Sequence, residues 1–230
     1  MSTLYIVATP IGNLRDITTR ALEILKEVDL ILSEDTRVTR KLLEHYEIKA
    51  PTLSYHQHSK LKKVNYIIKL LGEGKNLALV SDAGTPGISD PGGKLIQKVS
   101  ESLDDSVKIV PIPGSSALIS AASISGFSMD KFLFLGFPPT KRKRKKFFKK
   151  IISSEYPVIF YESPYKIIKT LEELKQMFQV SSFKFQVMVC RELTKKFETV
   201  YRGEIEEVVK SIKKDKIKGE FVVIVNPRRK

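Results

Sequence analysis

One stretch limits what this chain can become. Residues 77–80 form a short apolar run, Leu-Ala-Leu-Val, that stops abruptly at Ser81-Asp82. A long glycine- and proline-rich segment follows, with Gly84, Pro86, Gly87, Pro91, Gly92 and Gly93 and the carboxylates Asp82 and Asp90. Apolar residues resume at Leu95, Ile96 and Val99 with helical spacing. The pattern predicts a strand, a loop and a helix. In open α/β sheets, ligands bind where such loops leave the carboxyl ends of strands. Glycine lets the backbone approach a ligand, and proline holds the shape of the loop. Loops of this length in compact domains are usually functional. The segment is therefore a candidate cofactor cradle.

It is neither of the two familiar nucleotide cradles. A P-loop needs G-x-x-x-x-G-K-[ST]. Gly87 and Gly92 have that separation, but Gly93 stands where lysine is required and Leu95 follows Lys94. A Rossmann G-x-G-x-x-G is absent as well, because Gly72-Glu73-Gly74 finds Leu77 where the third glycine belongs.

Charge narrows the partner. The 230 residues carry a formal net charge of +14. That excess favours a polyanion, most simply nucleic acid, over a small neutral metabolite. The competing reading is a general lysine bias. The densest cationic run is Lys141–Lys150, KRKRKKFFKK, with Phe147, Phe148, Ile151 and Ile152 at helical spacing behind it. This is either a solvated helix face or a phosphate-contacting patch. Cys190 is the only cysteine, so no disulfide framework and no cysteine-based zinc site can be built. His56 and His58 at i, i+2, without a nearby carboxylate, make a poor metal site. A polar loop near a substrate cleft is the better reading, and no metal is expected. The first ten residues lack a signal-peptide pattern, and no apolar run approaches the ~20 residues that span a bilayer. The expectation is a soluble, cytoplasmic protein.

Taken in order, the first half alternates short apolar strands with amphipathic helices, as parallel α/β sheets do. Strands are expected at Leu4–Ala8, Leu30–Leu32, Leu77–Val80 and Val107–Ile112, and a close-packed helix over Ser115–Ser125. The second half is richer in strands and alternates less strictly. Strands are expected near Phe132–Leu135, Val158–Tyr161, Phe185–Cys190, Thr199–Arg202 and Phe221–Val225. Pro111 and Pro113-Gly114 bracket Ile112 and mark the boundary. The expected domains are residues 1–112 and 113–230, two α/β layers sharing one cleft.

Seven motifs then occur in order. They are ATPIGNLRDIT (Ala8–Thr18), SEDTR (Ser33–Arg37), LVSDAGTPGISDPG (Leu79–Gly92), PIPGSSA (Pro111–Ala117), FLGFPP (Phe134–Pro139), FYESP (Phe160–Pro164) and CRELTKKFE (Cys190–Glu198). Together they resemble the bacterial small-subunit ribosomal RNA (cytidine-2′-O-)-methyltransferases of the tetrapyrrole methylase superfamily, from Leu4 to about Val225. The resemblance implies a methyltransferase of two α/β/α domains with S-adenosyl-L-methionine in the cleft between them, usually a homodimer. It implies a cofactor site lined by Pro10, by Asp82, Ala83, Gly84 and Thr85, by Ile88, and by Ser115, Ser116 and Ala117. Tyr161, in the stretch Phe160–Glu162, would close it from the second domain. The partner it implies is small-subunit ribosomal RNA within the subunit. Two departures stand out. Many members read Pro-His-Arg where this chain has Pro164-Tyr165-Lys166, and lysine lacks arginine's planar fork. Many also carry a C-terminal helical extension beyond the residue matching Lys230.

Methyl transfer to a ribose oxygen is an in-line displacement, mainly a positioning task. A carboxylate near the sulfonium stabilises the bound donor, and a base on the 2′-hydroxyl raises its nucleophilicity. The candidate acids are Asp35, Asp82, Asp90 and Glu162, with Glu34 and Glu192 behind them. Asp82 is tied to the cofactor, and Asp35 and Glu162 are the expected proton acceptors. Arg37 and Arg191 either hold RNA phosphate or pair with these acids. Two rival readings remain at this stage: carbon methylation of a tetrapyrrole, and a non-catalytic RNA-binding assembly factor.

Overall fold

The computed structural model describes residues 1–56, 59–179 and 184–228. Gln57, His58 and the tail residues Arg229 and Lys230 lie outside the described residues. The chain divides into two compact units, Met1–Ser116 and Ala117–Lys230.

The first unit alternates strand and helix throughout. Its elements are β1 (Ser2–Val7), α1 (Thr19–Glu27), β2 (Leu30–Ser33), α2 (Thr36–His45), β3 (Thr52–Ser54), α3 (Leu61–Gly72), β4 (Leu77–Val80), α4 (Gly93–Leu103) and β5 (Val107–Ile112). The strands pair in parallel in the order β3-β2-β4-β1-β5. Side chains alternate between faces with the strand period. Leu4, Ile6, Leu32, Leu77 and Leu79 pack against Ile67 and Leu71 of α3 and Leu95 and Val99 of α4. Val7, Ile31, Ala78 and Val80 pack against Ala21 and Leu25 of α1 and Leu43 of α2. Helices therefore cover both faces, which explains why β4 is apolar at every position.

This winding has a consequence for the site. The path out of β1 runs over one face through α1, and the path out of β4 runs over the other through α4. β1 and β4 are neighbours, so the topological switch point lies between their carboxyl ends, where α/β sheets bind ligands.

The second unit begins with α5 (Ala117–Ser123) and continues through β6 (Leu133–Phe134), α6 (Arg144–Ile152), β7 (Val158–Glu162), α7 (Ile167–Gln179), β8 (Lys184–Arg191), β9 (Thr199–Gly203), α8 (Ile205–Lys214) and β10 (Phe221–Arg228). The sheet order is β6-β7-β10-β8-β9. Only the β6–β7 pair is parallel, and the other three are antiparallel. Val158, Phe160, Val187, Val189, Val223 and Val225 form one core with Phe147, Phe148 and Ile151 of α6, Leu171 and Leu174 of α7 and Val208 and Ile212 of α8. α5 packs on the sheet at β7 and β10. Pro227 sits inside β10 without breaking it. There the strand pairs only with β8, because the β7 ladder ends at Val225–Val158, and a proline is tolerated where a ladder is one-sided.

Candidate active site

All five strands of the first sheet run the same way, so their outgoing loops gather along one edge. Those loops carry Thr9 to Asn13 after β1, Glu34 and Asp35 after β2, Tyr55 and His56 after β3, Ser81 to Gly92 after β4, and Pro113 to Ser116 after β5. The sequence placed Pro10, Asp35, Asp82, Ala83, Gly84, Thr85, Ile88, Ser115 and Ser116 in these loops, and the first unit brings them to this edge. Ala117, Tyr161 and Glu162 belong to the second unit.

Hydrogen bonds knit the loops together. Thr9 and Gly84 form a two-way backbone bridge, Thr9 N to Gly84 O at 2.9 Å and Gly84 N to Thr9 O at 3.0 Å. The Thr9 hydroxyl donates to Ser81 O at 3.1 Å, and the Ser81 hydroxyl donates to Gly84 O at 3.2 Å. The Thr85 hydroxyl donates to Ser115 O at 3.3 Å. The bridge needs glycine at position 84, whose φ of +82° is left-handed. Gly114 is required for a different reason. A Cβ there would stand 3.0 Å from Ala8 Cβ, so the loop after β5 could not lie this close to the loop after β1. Pro10 is buried behind the bridge, while Asp82, Ala83 and Ile88 face outward.

The acids of this edge are crowded. Asp82 Oδ1 accepts the Asp35 amide at 3.0 Å, tying the loop after β4 to the start of α2. Asp35 caps α2 through the Arg37 amide at 2.9 Å and forks onto the Arg37 guanidinium, with Nη2 to Oδ2 at 2.6 Å. Bonding to the Arg37 side chain, then to its amide, holds the Asp35 carboxyl down at about 2. Glu34 moves the other way. Partial burial raises it, the charge of Asp82 adds to the rise, and His56 opposes both. Glu34, only a secondary candidate in the sequence, is thus the acid whose charge this edge opposes. Periodicity carried no signal for that. Among the described residues, no group of three or more His, Cys, Asp or Glu is placed to hold a metal.

In the second unit, Glu162 is 3% exposed. It accepts the Thr170 hydroxyl at 2.5 Å and the Ser163 amide at 2.8 Å. Arg191 is buried too, and its Nε donates to Lys218 O at 2.9 Å. Glu192 pairs with Lys195 at 2.9 Å. Tyr161 packs edge-on against Phe134 and at a tilt against Phe137, with ring centroids 5.1 and 5.4 Å apart. Burial pushes the Cys190 thiol up to about 11, which leaves it inert as a nucleophile.

A parallel sheet with a bridged glycine loop at its switch point matches known proteins as well. Residues 3–209 match the family described as tetrapyrrole (corrin/porphyrin) methylases. The chain belongs to the tetrapyrrole methylase family. It is 46% identical to ribosomal RNA small subunit methyltransferase I of Mycoplasmopsis pulmonis, over 97% of both chains. It is 42% identical to the protein of that name from Thermotoga maritima, over 98% of this chain and 99% of the other. Among solved structures, the cobalamin biosynthetic enzyme cobalt precorrin-4 methyltransferase superposes with a TM-score of 0.68. That match covers 97% of this chain and 94% of the other at 18% identity, which shows the fold. As a tetrapyrrole methylase, the chain is a methyltransferase whose methyl donor is S-adenosyl-L-methionine.

The edge fits that donor. On a chain with a net charge of +14, Glu34, Asp35 and Asp82 concentrate negative charge at the ends of β2 and β4, and Glu34, raised first by partial burial, is raised further by repulsion from Asp82. A cationic ligand relieves such repulsion. Gly84 and Gly114 let the loops after β1, β4 and β5 lie against one another and hold this edge together. No helix among the described residues is long and apolar enough to cross a membrane.

Proposed function

We propose that this methyltransferase 2′-O-methylates the ribose of a cytidine in small-subunit ribosomal RNA. The observation that carries this reading is the match to proteins named ribosomal RNA small subunit methyltransferase I over 97% or more of this chain. The solved cobalt precorrin-4 methyltransferase is 18% identical and supports the fold, not a tetrapyrrole substrate. The enzyme works in the cytoplasm, where ribosomal subunits are assembled, and as a homodimer. Exposed apolar residues such as Phe137 are consistent with an interface.

When bound, S-adenosyl-L-methionine supplies an electrophilic methyl carbon on a cationic sulfur. Pro10, Asp82, Ala83, Gly84, Thr85, Ile88, Ser115 and Ser116 line its site in the first unit. Asp82 complements the positive charge. It is kept on the edge by the Asp35 amide, so it is oriented before the ligand arrives.

The proton acceptor is better assigned to Glu34 than to Asp35 or Glu162. Asp35, held near 2 by the Arg37 fork, has little affinity for a proton. Glu162 is enclosed and already bonded to Thr170 and Ser163, so it acts as a positioning residue. Glu34 is only partly buried and is raised by burial and by Asp82, and a carboxylate raised toward neutrality is the better general base. Arg37 leaves 85% of its side chain exposed and is available to an RNA phosphate.

Mapping ribose methylation in small-subunit RNA with and without the protein tests the reading. One new 2′-O-methylcytidine is the expected result, and an unchanged methylation pattern would sink it. Glu34→Gln tests the base. The folded value of Glu34 lies above its unfolded value. Its favourable contribution is therefore complete below about 4.5 and is lost as pH rises through the folded value. At neutral pH the charged carboxylate weighs against folding. Glu34→Gln is expected to melt higher than wild type at pH 7 and to lose turnover by about 100-fold. Retained turnover would return the role to another group.

A further inference from the structure

We propose that the outer face of α6 is the surface on which this enzyme docks its RNA, with Lys145, Lys146, Lys149 and Lys150 as the phosphate contacts. This rests on the reading of the substrate as ribosomal RNA and assigns it a place on the chain.

The sequence of α6 sorts its side chains cleanly. Phe147, Phe148 and Ile151 are buried in the core of the second unit. One and two turns along the opposite side stand Lys145, Lys146, Lys149 and Lys150, all exposed. Arg144 shares the inner side with Phe147 and Phe148 and is the one cation of the helix turned inward. It bonds to Glu173 at 2.7 Å and to Thr170 at 2.7 Å and lies over the Phe148 ring. So the fold uses a single positive charge from this run and presents the rest.

Those outer lysines have no counter-charge. Eight of the ten residues from 141 to 150 are Lys or Arg and none is acidic. Among the described residues, Lys145, Lys146, Lys149 and Lys150 make no ion pair. Several lysines of other helices do meet an acid. Lys98 pairs with Glu101, Lys175 with Glu206 and Lys213 with Glu172. Like charges at i, i+4, as in Lys145–Lys149 and Lys146–Lys150, destabilise a helix. The helix also starts without an acid in its first turn and without a side-chain cap, although its positive end favours anions. A segment whose like charges work against its own helix points to a ligand rather than to the fold.

A polyanion answers all of this at once. Neutralising clustered lysines against phosphates releases counterions, which is the main source of nucleic-acid affinity. An acidic membrane surface fits less well. A basic amphipathic helix binds lipid through its apolar face, and here that face is already used by the core.

The test compares wild type with Lys145→Gln/Lys146→Gln/Lys149→Gln/Lys150→Gln. Five quantities are measured: affinity for a small-subunit ribosomal RNA fragment over a salt series, affinity for S-adenosylhomocysteine, melting temperature, methyl incorporation, and self-association by sedimentation. The expected result is at least a tenfold loss of RNA affinity at moderate salt. The slope of log affinity against log salt should shrink by about two to three, with S-adenosylhomocysteine affinity unchanged. If the quadruple variant melts early, Lys145→Gln/Lys149→Gln should show about half the change in slope. Equal RNA affinity and slope in folded variant and wild type would overturn the assignment. Loss of self-association with RNA affinity intact would overturn it in favour of a contact between copies. If wild type binds RNA through these lysines yet methylates none, the docking surface stands and the proposed reaction falls.

Discussion

Arg144→Ala is expected to destabilise the second unit by about 3 kcal/mol and to lower its melting temperature by roughly 10 °C. Arg144 joins three elements. Its guanidinium donates to Glu173 of α7 at 2.7 Å, to the Thr170 hydroxyl at 2.7 Å and to Pro139 O at 3.3 Å. Thr170, fully buried, passes the link to Glu162 at the end of β7. Removing the arginine strips three hydrogen bonds from a site where water enters poorly, and leaves a hole over Phe148. The low end of the range for broken buried pairs applies, because the Glu173 side chain is 30% exposed. Arg144→Lys keeps the charge without the fork and should recover less than half of the loss. Lys175→Ala is the control. Its partner Glu206 is 3.8 Å away on the surface, and such pairs are worth under about 1 kcal/mol. Equal melting of Arg144→Ala and Lys175→Ala in thermal scans would remove the network from any role in stability.

The second large effect is on the cofactor. Asp82→Asn should keep the hydrogen bond to the Asp35 amide while deleting the charge. Affinity for S-adenosylmethionine is then expected to fall about 30- to 100-fold, the equivalent of about 2–3 kcal/mol. Affinity for S-adenosylhomocysteine, whose sulfur is neutral, should fall only a few-fold. Asp82→Ala also unties the two loops and should weaken both ligands. Titration calorimetry with the two compounds separates the cases. Equal losses for both in Asp82→Asn would mean that Asp82 serves loop geometry and not the sulfonium.

Much of this was readable in the sequence, for physical reasons that differ from place to place. Strand–helix alternation in the first half forces a parallel sheet. A parallel sheet puts Pro10, Asp35, Asp82 and Ser115 on one edge whatever the details of packing. β3 was missed because Thr52–Ser54 is three residues long, too short to show a period, and follows Pro51. The antiparallel second sheet was expected only as a loss of strict alternation. β10 ran past the expected Val225 because the pairing that Pro227 lacks on one side is not needed there. Arg144 was hidden in a run of like charges. Its place three and four residues before Phe147 and Phe148 marks the inner face, yet composition treats every cation of the run alike. The roles of Glu34 and Glu162 depend on burial and on neighbours distant in sequence, such as Asp82 and Thr170, and no local pattern reports them.

The position of β1 bears on how the molecule comes into being. It lies between β4 and β5, which are about 70 and 105 residues downstream of it. Of the described strands it is the earliest to leave a ribosome, yet neither of its neighbours exists until much later. Closing loops of that length is slow compared with local pairing. During synthesis at ~5–20 residues per second, Leu4, Ile6 and Val7 must stay unpaired for several seconds. A stretch destined for the sheet's interior is therefore an apolar segment that the nascent chain exposes early, and one that a chaperone would shield.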